Sequence, residues 1–288
     1  MTLPEAVNAP RAQLVSAQTG RIDYYFDKRG VGRPLILVHS INAAPSTYEM
    51  KPLFEHFAGI RPVYSIEQPG FGHSERSDRA YSPSLYASAI QALLEQVIQE
   101  PADLVALSLS AEFAARAALA TPTLIASLAL ISPTGFSARG LPSPAVGRFA
   151  HRVLRARPWS QGLYNLVASR RSIRYYLGKS FLTPPPQELL DYAYATAHQP
   201  GARYAPLTFL STQLFTHEAI ATLYERLSDF PVLAIADRDP YVTFERLATL
   251  VDSHANWRHE TLGPHLGLPH WERPRETLDA LGRFWASF

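Results

Sequence analysis

Short apolar runs of strand length alternate along this chain with longer segments in which apolar residues return every three or four positions. The strand candidates are Gln13 to Ser16, Asp23 to Phe26, Leu35 to Val38, Val63 to Ile66, Leu104 to Leu107, Leu128 to Ile131, Val232 to Ala236 and Trp257 to Thr261. Turn residues in "AQTGR" join the first two as a hairpin. Among the helical stretches, Ser84 to Gln99 gathers Tyr86, Ile90, Leu93, Leu94, Val97 and Ile98 on one face. Arg275 to Phe288 does the same with Leu278, Leu281, Trp285 and Phe288. Both stripes read as core. The alternation predicts the α/β class, with a mostly parallel eight-stranded sheet flanked by helices.

Between Gly135 and Ser228 the alternation stops. The segment turns helical and aromatic, broken by "LPSP", "RPWS", "TPPP" and "HQPG". It reads as a helical cap over residues 135–228, inserted into a core domain made of residues 1–134 and 229–288. Its basic residues (Arg148, Arg152, Arg155, Arg157, Arg170, Arg171, Arg174 and Lys179) are read as a solvated helix face in preference to a membrane surface or an acidic-ligand site.

Composition narrows the function. A net charge of +2 with 18% charged and 47% hydrophobic residues excludes a disordered tail and a polybasic nucleic-acid binder. No cysteine is present, so disulfides, thiolate metal sites and a cysteine nucleophile are excluded together. "MTLPEAVNAPRAQLV" lacks the charged-then-apolar order of a signal peptide, and no apolar run approaches the roughly 20 residues of a membrane span. The expectation is a cytoplasmic protein acting on a small molecule, with no metal or cofactor. The pattern is silent on oligomeric state.

The chemistry centres on "DLVALSLSAEF", residues 103–113, an apolar strand running into a helix with Ser108 at the corner. In a strand-to-helix elbow the nucleophile's backbone is strained, and small residues two positions either side let strand and helix approach. Ala106 and Ser110 fill those positions in place of glycines. Taken alone, a serine there is as readily a helix N-cap. Four other stretches favour the elbow. "LILVHSINAAPSTYEM" ends a strand at His39, "IEQPGFGHSER" follows the next with a tight turn, "VLAIADRDPYVT" ends another on two aspartates, and "LGPHLGLPHWERP" follows the last with histidines. Serine, acid and histidine thus stand in the chain order of an α/β-hydrolase triad.

The chain resembles the α/β-hydrolase superfamily, cap-bearing branch, from about Gln13 to Phe288. "PGFGHS", "ISPTGF" and "ADRDPYVT" are similar to its landmarks. The resemblance implies Ser108 as nucleophile, Asp239 as acid, and the backbone N–H groups of Ile41 and Leu109 as oxyanion hole. His39 and Ser40 are the substrate-side residues of that loop, His39 more as a brace than as a reactant.

The base is where the pattern departs. Relatives carry histidine five residues before the glutamate of their "ErP" motif, and that slot here is Gly267. His265 stands seven before Glu272, in a loop that two glycines make flexible. His270 stands two before it, in a surface or capping position. His265, His270 or no competent base are the three outcomes left open. His259 reads as a half-buried strand residue, and the spacing of the three histidines matches no H-E-x-x-H zinc pattern. Glu112 reads as a first-turn acid favoured by the helix dipole. The expected activity is hydrolysis of an ester or related acyl bond in a small apolar molecule through an acyl-enzyme. A degenerate hydrolase serving as binder or scaffold, or a lyase on the same fold, are the alternatives.

Overall fold

The computed structural model describes residues 2–288. Eight strands form one sheet: β1 Arg11–Ser16, β2 Gly20–Asp27, β3 Leu35–Val38, β4 Val63–Ile66, β5 Ala102–Leu107, β6 Ile125–Ile131, β7 Val232–Ile235 and β8 Trp257–Glu260. Their spatial order is β1-β2-β4-β3-β5-β6-β7-β8. β1, β2 and β4 pair antiparallel, and every later pair is parallel. The inner strands β3 to β6 are almost wholly buried, as strands covered on both faces must be.

Helices α1 Lys51–Phe57, α2 Pro83–Leu93, α3 Ser110–Ala120, α10 Leu247–Ser253 and α12 Pro274–Trp285 supply the two covering layers, with the short α11 Pro269–Glu272 before α12. The two faces of β5 show how the core divides. Leu104 and Ala106 pack with α2 and α3 in one cluster, while Val105 and Leu107 pack with α1 and α12 in the other. The stretch expected as one helix over 84–99 changes pitch at Leu94–Ile98 and ends on Gln99 at φ 60°, which turns the chain toward β5.

Between β6 and β7 no strand occurs. The chain there forms α4 Pro144–Leu154, α5 Ser160–Val167, α6 Arg170–Lys179, α7 Gln187–Ala197, α8 Tyr204–Leu210 and α9 Ala219–Thr222. This helical segment has a small apolar cluster of its own, around Tyr164, Ile173, Leu190 and Ala197. It is tied to the loops at the carboxyl ends of the strands. Tyr164 donates to the Ala43 carbonyl at 3.2 Å, Tyr241 to the Tyr176 carbonyl at 2.6 Å, and the Leu182 amide to Glu272 at 2.6 Å. No helix is long and apolar enough to cross a membrane.

Candidate active site

β5 is the fourth-from-last strand in the sheet, and its carboxyl end delivers Ser108 to the middle of that edge. Ser108 has φ 56°, a left-handed conformation that costs a non-glycine residue about 1 kcal/mol. Its amide bonds the Ile131 carbonyl at 2.8 Å, continuing the β5–β6 ladder into the corner. The N-cap alternative does not hold. α3 begins without a side-chain cap, and the Ser108 hydroxyl bonds no helix amide. Ser108 is half-buried, and its Oγ has no hydrogen-bond partner among the described residues.

The absent elbow glycines are explained by what replaces them. Ala106 is fully buried at a position paired with Val38 and Leu130, where only a methyl group has to fit. Ser110, also fully buried, donates its hydroxyl to the His39 carbonyl at 2.5 Å and so fastens the elbow to the loop after β3. Ser110 is therefore an anchor, with no free hydroxyl to compete with Ser108.

The loop after β3 runs beside the elbow. Val38 pairs with Ala106, so Ile41 and Leu109 each follow three residues after partnered positions on neighbouring parallel strands. Neither amide has a hydrogen-bond acceptor among the described residues. The loop is braced from below by a residue the sequence did not mark. Glu49, buried in the 3-10 turn Thr47–Met50, accepts from the Ser40 amide at 2.9 Å and from Asn42 Nδ2 at 2.9 Å. Burial raises its carboxyl above the usual range, and the bonds from Ser40 and Asn42 offset this. His39 is wholly buried, with Nδ1 donating to the Ser40 carbonyl at 2.7 Å and Nε2 accepting from the Gln68 amide at 3.0 Å. Both ring nitrogens are thus occupied, and burial lowers its pKa to about 4. Beneath it, burial pushes the Glu67 carboxyl up to about 8, against the smaller opposing effect of Thr47. Sequence order gave no hint of Glu49 or Glu67, because their role depends on which loop folds over them.

Asp239 lies in the turn after β7. Its Oδ1 accepts from the amides of Tyr241 at 2.7 Å and Val242 at 3.0 Å. Burial raises its pKa, while those two amides and the nearby His265 act the other way. Gly267 packs directly on this carboxylate, since a Cβ there would stand 2.5 Å from Asp239 Oδ2. The slot that carries histidine in relatives therefore does face the acid, and the backbone has closed onto the acid in its place.

The loop holding His265 is tied down more than its two glycines suggest. Four hydrogen bonds pin it: Leu266 N to Glu272 Oε2 at 2.8 Å, Ser132 Oγ to the Gly267 carbonyl at 3.1 Å, Arg273 Nε to the Pro264 carbonyl at 3.1 Å, and His265 Nδ1 to the Leu266 carbonyl. Because Nδ1 faces a carbonyl it must carry the proton, which leaves Nε2 as the bare lone pair. That Nε2 is buried and has no hydrogen-bond partner among the described residues. No hydrogen bond joins Ser108 to His265, or His265 to Asp239. His270 is not at the surface: it is fully buried, and its Nε2 donates to the Glu49 carbonyl at 2.8 Å. Trp271 donates to the same carbonyl at 2.7 Å, so α11 is docked on the turn that braces the loop after β3. Burial lowers the His270 pKa to about 4. His259 is exposed, not half-buried, with Nε2 on the Ala236 carbonyl at 2.6 Å. Each of the three histidines is thus held by a different backbone carbonyl, and among the described residues no cluster of metal-ligating side chains forms.

Glu112 stands in the first turn of α3, as expected, and has a further role there. It is buried, accepts from Thr134 Oγ1 and, at 2.7 Å, from the Thr216 amide, and so ties the elbow helix to "ISPTGF" and to the helical segment. Of the aromatics in that segment, Tyr164, Phe181 and Tyr192 are buried packing residues, whereas Trp159, Tyr175 and Tyr176 are exposed.

A mostly parallel sheet with a left-handed serine at the end of β5, free amides in the neighbouring loop and an aspartate after β7 is the arrangement of folds built around nucleophile elbows. The chain belongs to the alpha/beta hydrolase family, whose model matches residues 35–280. Solved structures agree on the fold. A serine hydrolase of carbazole degradation, the CarC enzyme, matches with TM-score 0.76 and 14% identity over 96% of this chain and 99% of its own. The haloalkane dehalogenase DatA from Agrobacterium tumefaciens matches with TM-score 0.73 and 20% identity over 96% of each chain. E-2-(acetamidomethylene)succinate hydrolase matches with TM-score 0.67 and 16% identity over 97% of this chain and all of its own length, 100%. Their names cover different reactions, so the fold alone does not choose among them.

Proposed function

We propose that the protein is a serine hydrolase acting on an ester or related acyl bond of a small, largely apolar molecule. The observation that carries this reading is the strained Ser108 with its uncommitted hydroxyl, flanked by the unpartnered amides of Ile41 and Leu109. Strain of this kind persists where the surroundings enforce it, and it is concentrated at functional sites.

In the proposed reaction His265 Nε2 takes the Ser108 proton as Oγ attacks the acyl carbon. The amides of Ile41 and Leu109 donate to the oxyanion. The alcohol leaves with the proton held on His265. Water then attacks the acyl-enzyme, giving one proton to His265, and the acid departs as Ser108 regains its hydrogen. The Leu266 carbonyl holds His265 in the tautomer this needs, and Asp239 stabilises the imidazolium through charge without a direct hydrogen bond. A shift of the loop on substrate binding that keeps the bond from Nδ1 to the Leu266 carbonyl brings Nε2 to Ser108, in keeping with the looser catalytic hydrogen bonds of unliganded enzymes.

A specific observation favours a second reading. Gly267 occupies the usual base position and lies against the acid, as in a scaffold that has lost turnover. A fluorophosphonate probe separates the two. Wild type is expected to take up one label per chain and Ser108→Ala none. Equal failure of both proteins to react discards the hydrolase in favour of a binding protein.

A further inference from the structure

Amphipathic helices of water-soluble domains turn their apolar stripe inward. α4 does not. Val146, Phe149 and Val153, spaced three and four apart on one face, are 56%, 67% and 42% exposed. The buried member of this helix is Gly147, which packs against the Ser211 carbonyl. Trp159, 51% exposed, extends the stripe at the helix end, because its indole N–H donates to the Val153 carbonyl at 2.8 Å.

Arginines adjoin this stripe. Arg148, Arg152 and Arg155, spaced four and three apart, share the neighbouring face of α4. With Arg157 and Arg203 they line a cleft of about 540 Å3 in which Asp78 is the one carboxylate. Arg155 is satisfied by Asp78, and Arg203 bonds Gln161 at 2.6 Å and the Tyr204 hydroxyl at 3.0 Å. The guanidinium groups of Arg148, Arg152 and Arg157 have no hydrogen bond or ion pair among the described residues, and all three residues are exposed.

We infer that the α4 face with Trp159 is a docking surface for an anionic lipid bilayer. Val146, Phe149, Val153 and Trp159 enter the boundary of headgroups and acyl chains, and Arg148, Arg152 and Arg157 meet the lipid phosphates. Two observations select this occupant. A second copy of the chain meeting this face about a two-fold axis would set arginine against arginine. A soluble anion would use the cleft and leave four exposed apolar side chains without a role. A bilayer of negative headgroups matches both features at once, and tryptophan is enriched at that depth. The inference does not depend on Ser108 and goes beyond the hydrolase reading.

The test is flotation of the full chain with vesicles of phosphatidylcholine, alone or mixed with phosphatidylglycerol. Wild type and Ser108→Ala are expected to float with the mixed vesicles and to stay behind with phosphatidylcholine alone. Phe149→Ser should weaken partitioning about tenfold. Arg148→Gln, Arg152→Gln and Arg157→Gln should each weaken it about fivefold and flatten its salt dependence. Unchanged thermal melting serves as the fold control, since all of these side chains are exposed. Wild type remaining unbound on the mixed vesicles overturns the inference. So does full binding by Phe149→Ser, which would reduce the surface to charge alone. Release from vesicles by millimolar glycerol phosphate, with a matching rise in wild-type melting temperature, would also overturn it and assign the cleft to a soluble anion.

Discussion

The elbow around Ser108 and the loop around His265 were altered from the family pattern in opposite ways. At the elbow the letters changed and the geometry survived. Two glycines became Ala106 and Ser110, both small enough for the corner, and Ser110 contributes a bond to His39 that glycine has no atom to make. At the loop the change reached the backbone. Without a side chain at Gly267 the chain settled onto Asp239 Oδ2, and Ser132, Glu272 and Arg273 locked it there. A steric requirement tolerates any residue of the right size, whereas a requirement for one particular ring at one particular point tolerates no substitute.

The largest effect expected from this contrast is at the histidines. If His265 is the base, His265→Ala lowers kcat toward nitrophenyl esters by about a thousandfold with little change in KM. His270→Ala leaves chemistry largely in place. It instead costs about 2–4 kcal/mol of stability, because it opens a cavity under the Glu49 turn and removes one donor from the Glu49 carbonyl. Steady-state kinetics and urea melts on both variants decide it, and equal rates in wild type and His265→Ala would remove the base from the mechanism.

Next in size is a pH effect, with Glu67 on one limb and His39 and His270 on the other. Burial raises the folded pKa of Glu67 to about 8 from the ordinary carboxylate range, so the stability carried by its neutral state is complete below about pH 4.5. The stability it provides is lost as pH rises through 8. His39 and His270 have folded values lowered to about 4 from 6.5. Their contribution is complete above pH 6.5 and is lost as pH falls through 4. Each unit is worth about 1.4 kcal/mol, so both limbs amount to a few kcal/mol. Glu67→Gln should flatten the alkaline limb and spare the acid limb, with Glu49 and Glu112 leaving some residual slope. Urea midpoints from pH 4 to 9 read this directly, and an unchanged alkaline slope would acquit Glu67.

Gly267→Ala sharpens the comparison from the loop side. The new methyl group must displace Asp239 Oδ2 or the pinned backbone, an overpacking cost of about 1–3 kcal/mol. Ala106→Gly and Ser110→Ala, at the elbow, should cost less. Should Gly267→Ala melt like wild type, the loop is looser than its four hydrogen bonds imply, and a base delivered from position 265 becomes easier to reconcile with the fold.

Each of the eight strands overlaps a stretch marked in the sequence, and the inner ones are the plainest, because β-structure buried on both faces leaves an unbroken apolar signature, whereas the edge strands β1 and β8 are only partly buried. Ser108 was legible for a related reason: the residues that permit an elbow are local. What stayed hidden was long-range. Glu49 and the Ser40 amide are nine residues apart, and His270 and the Glu49 carbonyl 221 apart, and neither contact leaves a periodic trace. His270 reads from its sequence position as a surface or capping residue, because a histidine near a helix start is usually solvated. Here it supplies the hydrogen bond that α11 makes to the Glu49 turn. The loop's two glycines suggest freedom, yet loop mobility is set by the partners of its carbonyls and amides, and these come from the residue just after β6, from α11 and from the residue just after α11.

The smallest expected effect tests the elbow most directly. Ser108→Gly removes the penalty of a left-handed φ at a residue whose side chain makes no hydrogen bond, at the cost of more freedom in the unfolded chain. The balance favours the variant by about 0.5–1 kcal/mol, whereas Ser108→Ala keeps the strain and should melt close to wild type. Both lose the fluorophosphonate label. A more stable protein without a nucleophile is the signature of strain retained for chemistry. Should Ser108→Gly instead melt lower than Ser108→Ala, the left-handed corner is no burden to the serine, and the case for a functional elbow loses its physical basis.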